Sequence, residues 1–196
     1  MGKQIYLNKV EELFEKSPVV DFKSIERIVG KSKNSNYAKL LVSNLLKKLK
    51  IKKIGKGVYT RYNEISLAVF SFKPAYLGLQ SALSHYGIWE QETIPVIITT
   101  KKVRRGIRCL MDSNILIRNI DKNHFFGIEY LREGNFYLPY SDLEKTFIDM
   151  VVFNQKIDSG VLKKIKSKID KQKLLRYLKR YSLKVKNRVL NVYNQD

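Results

Sequence analysis

Asparagine can pair with adenine through two hydrogen bonds in the DNA major groove, while serine and lysine hold phosphates and fix register. These residue types are concentrated early in the chain, where Ser32, Lys33, Asn34, Ser35, Asn36, Lys39 and Ser43 fall within one short stretch. Lys52, Lys53, Lys56 and Arg61 follow closely. The first set has the chemistry of base reading and the second that of backbone contact. Helix-turn-helix proteins place the N-terminal end of their second helix against base edges, and the first set stands at such a helix start. A plain helical hairpin with a solvated lysine face would carry the same charges. The DNA reading is preferred because charge, turn and helix polarity agree with one docking geometry.

The elements that must position these side chains are legible around them. Ala38, Leu41, Val42, Leu45, Leu46 and Leu49 recur at three- and four-residue spacing, which predicts an amphipathic helix with Asn36, Lys39, Ser43 and Lys47 on its opposite side. Residues 51–54 and 58–60 are β-prone, and Gly55, Lys56 and Gly57 supply the turn of a hairpin, the wing. Upstream, residues 3–16 predict a first helix with Ile5, Tyr6, Val10, Leu13 and Phe14 on one face. Asp21 caps a second that runs to Val29 and stops at Gly30. Residues 1–61 thus predict a winged helix-turn-helix DNA-binding domain.

The remainder, residues 62–196, predicts a mixed α/β module ending in a helical segment, so the fold class is α+β. Residues 63–72 fit either a strand or a capped helix. Pro74 favours a helix that Ala75, Tyr76, Leu79, Ala82, Leu83 and Tyr86 would line and Gly87 would end. Residues 95–100, 107–111, 115–120, 125–131 and 136–140 read as strands. Ser141 is expected to cap a helix, with Glu144 closing a capping box. From residue 154 onward three helices are expected, starting at Asp158 or Ser159, at Asp170 and at Ser182.

Charge divides the chain in the same way. Residues 1–61 hold 15 Lys+Arg against 5 Asp+Glu, a surplus of +10; residues 62–153 hold 10 against 10; residues 154–196 hold 13 against 3, again +10. Two basic ends around a neutral centre suggest two polyanion-facing surfaces, phosphate backbone being the favoured anion over a membrane. On the tail, Lys164, Lys168, Lys171 and Arg180 mark the second surface, for which a solubilising face is the equal alternative.

Catalytic chemistry is sparse. His85 and His124 lack the spacing of a zinc site, and no Walker loop, nucleophile elbow or dinucleotide fingerprint occurs. A Mg²⁺-dependent nuclease built on Asp112, Glu129 and Lys145 is the competing reading, although Asp149 at i+4 from Lys145 offers a simple ion pair. No enzyme activity, cofactor or metal is therefore expected. The single cysteine, Cys109, is expected in a strand core and fits a reducing compartment. With no apolar leader and no run long enough for a membrane span, the expectation is a cytoplasmic protein, a monomer or weak dimer.

Three segments carry a resemblance to a known family. GKGVYTR at residues 55–61, SALSHYGI at 81–88 and DLEKTFIDMV at 142–151 resemble, in order and spacing, motifs of the AbiEi antitoxins, with Lys145 where that family usually has arginine. The resemblance implies a repressor of its own operon that binds inverted repeats in double-stranded DNA. It also implies an antitoxin of a type IV toxin-antitoxin, or abortive-infection, system, counteracting a nucleotidyltransferase toxin without a stable complex. A stand-alone winged-helix regulator would share the fold.

Overall fold

The structure is a computed structural model that describes residues 2–30 and 35–195. The chain is α+β and divides into two compact units, residues 1–71 with 109–113 and residues 72–108 with 114–196.

The first unit runs α1 (Gly2–Lys16), β1 (Val20–Asp21), α2 (Phe22–Val29), α3 (Ser35–Lys47), β2 (Lys52–Gly55) and β3 (Val58–Thr60), the strands forming a sheet of order β1-β3-β2. Asp21 caps α2 by accepting from Ser24 N at 2.7 Å, and Gly30 ends it at φ 96° with its N–H on Glu26 O. Val10 and Phe14 of α1, Ile25 and Val29 of α2, and Ala38, Leu41, Val42 and Leu45 of α3 close one core with Ile51 and Tyr59. Two expected core positions lie outside it: Ile5 is exposed, and so is Leu49, at 81%. Leu49 sits just past the helix at φ 54°, where Leu49 N bonds Leu46 O and Lys50 N reaches back to Leu45 O. That left-handed exit turns Ile51 inward and Leu49 out.

The strands β4 (Ala75–Leu77), β5 (Val96–Thr99), β6 (Gly106–Leu110), β7 (Ser113–Asn119), β8 (Ile128–Glu133) and β9 (Phe136–Ser141) form a sheet of order β6-β7-β5-β4-β9-β8 that lies in the second unit apart from residues 109 and 110 of β6 and residue 113 of β7. The helices are α4 (Gln80–His85), α5 (Leu143–Val152), α6 (Ser159–Lys168), α7 (Lys171–Leu178) and α8 (Leu183–Tyr193). The helix expected from Pro74 to Tyr86 is therefore a strand followed by a short helix. Tertiary pairing overrides the helical spacing there: Ala75, Tyr76 and Leu77 pair with β5, and Leu77 with Tyr140 of β9, in the buried middle of the sheet. Gly78 allows the exit, since a Cβ there would stand 2.6 Å from Ile98 Cδ1. Residues 65–72, left open between strand and helix, are a 3-10 helix.

Two further expectations are corrected. The cap of α5 is Asp142, which accepts from Lys145 N at 2.8 Å, and Glu144 accepts from Asp170 N instead of closing a capping box. Cys109 is exposed because alternate residues of β6 face outward. The tail helices start at Asp158, Asp170 and Ser182 as expected. They are part of the core: Leu162, Ile165, Leu174, Leu178, Tyr181 and Val189 pack with Phe147, Ile148 and Met150 of α5 and with Tyr76, Val96 and Ile98 of the sheet. Among the described residues no helix is long and apolar enough to cross a membrane.

Candidate nucleic-acid interface

The geometry of α3 follows from its burial. With 3.6 residues per turn, burying Ala38, Leu41, Val42 and Leu45 turns Asn36, Lys39, Leu40, Ser43 and Lys47 to the opposite face. Asn36, Lys39 and Lys47 are exposed and Ser43 is half-buried. Ser35 opens the helix, whereas Ser32, Lys33 and Asn34 lie outside the described residues. Leu40, 56% exposed in the middle of this face, was missing from the expected set. The signal for it was available in its position one residue after Lys39, off the apolar stripe. A leucine there offers an apolar contact of the kind a thymine methyl takes.

The hairpin beside this helix places its cations unequally. Lys53 pairs across to Tyr59, Gly55 pairs with Val58, and the register shift between them leaves Lys56 and Gly57 as the turn. Gly57 takes φ 68°, and Gly55 is held against Ser71, whose Oγ donates to Ile54 O at 2.8 Å. Lys53 and Lys56 are exposed. Lys52 instead bonds Asn63, and Arg61 lies 3.9 Å from Glu15 with its guanidinium over the Phe14 ring. Of the four expected wing cations, two face outward and two brace the unit.

The tail cations are braced more heavily. Lys164 pairs with Glu90, Lys168 donates to Tyr86 O at 2.8 Å, and the Arg180 guanidinium stacks 4.5 Å from the centre of the Phe126 ring. Lys171 is exposed in the first turn of α7. Lys173 joins α7 to α5, 3.1 Å from Asp142 and 2.9 Å from Glu144, and Tyr177 donates to Asp142 at 2.7 Å. Those carboxylates hold the Lys173 ammonium well above the usual lysine range against the opposing effect of burial. The four residues expected to form one surface therefore do different jobs, and three of them tie helices to their surroundings.

Lys145 and Asp149 form a fully buried ion pair, with Tyr76 donating to the second Asp149 oxygen at 2.6 Å. Burial pushes the Lys145 ammonium down and the Asp149 carboxyl up, in each case against their mutual attraction. Phe126 and Tyr76 rings lie 5.4 and 5.5 Å from the ammonium. This lysine has no route to a substrate. Glu129 is half-exposed on β8, 3.9 Å from Lys173, and Asp112 belongs to the first unit. Among the described residues no group of three or more His, Cys, Asp or Glu side chains converges as metal ligands would.

No protein-family model and no curated protein matches this sequence. Among solved structures, the crystal structure of RV2827C protein from Mycobacterium tuberculosis is similar over 97% of this chain and 76% of its own, with TM-score 0.64 and 12% identity. At that identity the likeness shows the α+β fold.

Proposed function

We propose that the chain is a sequence-specific, double-stranded-DNA-binding transcriptional regulator whose first unit is a winged helix-turn-helix. The observation that carries this reading is the outward face of α3, where Asn36, Lys39, Leu40, Ser43 and Lys47 stand opposite a fully apolar inner face and beside a hairpin with exposed Lys53 and Lys56. α3 is the reading helix: Asn36 supplies bidentate readout, Leu40 an apolar contact, and Lys39, Lys47 and Ser43 hold phosphates. The hairpin is the wing. Titrating the full chain against a duplex from upstream of its own reading frame, and against random duplex, tests this across a range of salt. Tighter binding to the upstream duplex, with affinity falling steeply as salt rises, is expected. Equal affinity for both sequences would remove base reading from the proposal.

The resemblance carried by residues 55–61, 81–88 and 142–151 extends the proposal to an autorepressing antitoxin that counteracts a nucleotidyltransferase without binding it stably. In this reading the chain acts without catalysis; the enclosure of Lys145 with Asp149 argues against the nuclease built on Asp112, Glu129 and Lys145. Co-expression with a nucleotidyltransferase encoded beside it tests this part. Rescue of growth is expected; toxicity unchanged by the chain would leave a stand-alone regulator.

A further inference from the structure

The densest positive charge of the second unit lies where the overall balance hides it. Residues 62–153 are neutral in sum, yet residues 101–108, KKVRRGIR, hold five cations, and no acid occurs from residue 93 to residue 111. This segment joins β5 to β6, the strand at the end of the sheet. Its backbone is fastened. Asn119 Nδ2 on β7 donates to the carbonyls of Lys101 at 3.2 Å and Val103 at 3.0 Å. Lys101 N donates to Thr99 Oγ1, Val103 N to Lys101 O, and the Arg108 guanidinium to Arg104 O at 2.7 Å. Lys102, Arg104 and Arg105 are exposed, and none of them forms an ion pair with a described residue.

We propose that this loop is a phosphate-gripping surface through which the second unit binds the backbone of duplex DNA. Cations held close together on a fastened backbone repel one another, and an anion of matching charge density relieves that repulsion. Two of the three are arginines, whose planar fork suits phosphate oxygens. Residues 101–108 include no aromatic side chain on which an unpaired base could stack, which favours a duplex over a single strand. The choice of DNA over RNA rests on the reading of the first unit; the phosphate chemistry does not.

The test uses the full chain with Lys102→Glu, Arg104→Glu and Arg105→Glu together, titrated with random-sequence duplex DNA over a range of salt. The slope of log affinity against log salt should fall by about 0.9 for each phosphate no longer held, and affinity at physiological salt by roughly 10- to 100-fold. A melting temperature equal to that of the parent chain checks the fold; if it drops, the corresponding glutamine variant gives the answer. Asn119→Ala keeps every cation but frees the loop backbone, so binding should weaken several-fold with the slope kept. Unchanged affinity and slope in the triple variant would overturn the proposal. So would a loss seen only with an RNA duplex, or only with phosphatidylglycerol vesicles that exposed Ile107 could enter. Failure of the first unit's reading looks different: Asn36→Ala would leave the ratio of upstream to random binding unchanged while the triple variant still lowered the slope.

Discussion

The N-terminal and C-terminal cations have equal surplus charge, +10 in each segment, but different surroundings. In the first unit Lys39, Lys47, Lys53 and Lys56 stand outward, because the helix and hairpin that carry them are held by apolar residues on their other side. In the tail, Lys164, Lys168, Lys173 and Arg180 each meet a carboxylate, a carbonyl or an aromatic ring on another element. The first set is available to a ligand; these four tail cations are engaged with other segments of the second unit, while Lys171 stands exposed beside them. The difference teaches that a run of positive charge identifies a surface only after the partners of each cation are known.

The largest expected effect tests the structural side of this contrast at its deepest point. Asp149→Ala leaves the Lys145 ammonium buried without its partner, which should cost about 3–5 kcal/mol in chemical denaturation of the second unit. Replacing Lys145 by Met, Asp149 by Leu and Tyr76 by Phe together should recover most of that stability, since no polar group of the network is then stranded. A single variant as stable as the parent would mean that the network is not what holds α5 to β4.

Next in size is the face of α3 proposed to read DNA. Asn36→Ala should lower the preference for the upstream duplex by about 1–3 kcal/mol while affinity for random duplex stays near that of the parent, both read by titration at one salt concentration. Equal weakening on both sequences would make Asn36 a phosphate-binding residue. Lys53→Ala with Lys56→Ala should instead weaken every sequence alike and reduce the salt slope by about 0.9 for each phosphate released.

The smallest effect belongs to the tail. Arg180→Ala removes the guanidinium from the Phe126 ring and should lower stability by about 0.5–1 kcal/mol, seen as a shift in thermal unfolding, with DNA affinity unchanged. Should it weaken DNA binding and leave unfolding alone, the distinction between the two ends would disappear.

Local rules in the sequence settled much of the helical architecture. Asp21, Asp158, Asp170 and Ser182 each accept from a backbone N–H two or three residues ahead, and Gly30 ends α2 in a conformation that suits glycine, so these boundaries depend on neighbours alone. The apolar stripe of α3 likewise determined which way Asn36 and Lys39 face. Only the tertiary structure decided that residues 75–77 are a strand, because the pairing of Leu77 with Tyr140 lies beyond any helical window. It also decided which cations are engaged: Lys164 meets Glu90 across 74 positions and Lys168 meets Tyr86 across 82. Lys102, Arg104 and Arg105 stand in a segment whose charges cancel in sum, so their exposure together became visible only on the folded loop. Capping and periodicity act over a few residues and are written in the local sequence, whereas strand pairing and ion pairing depend on partners that only the folded chain brings together.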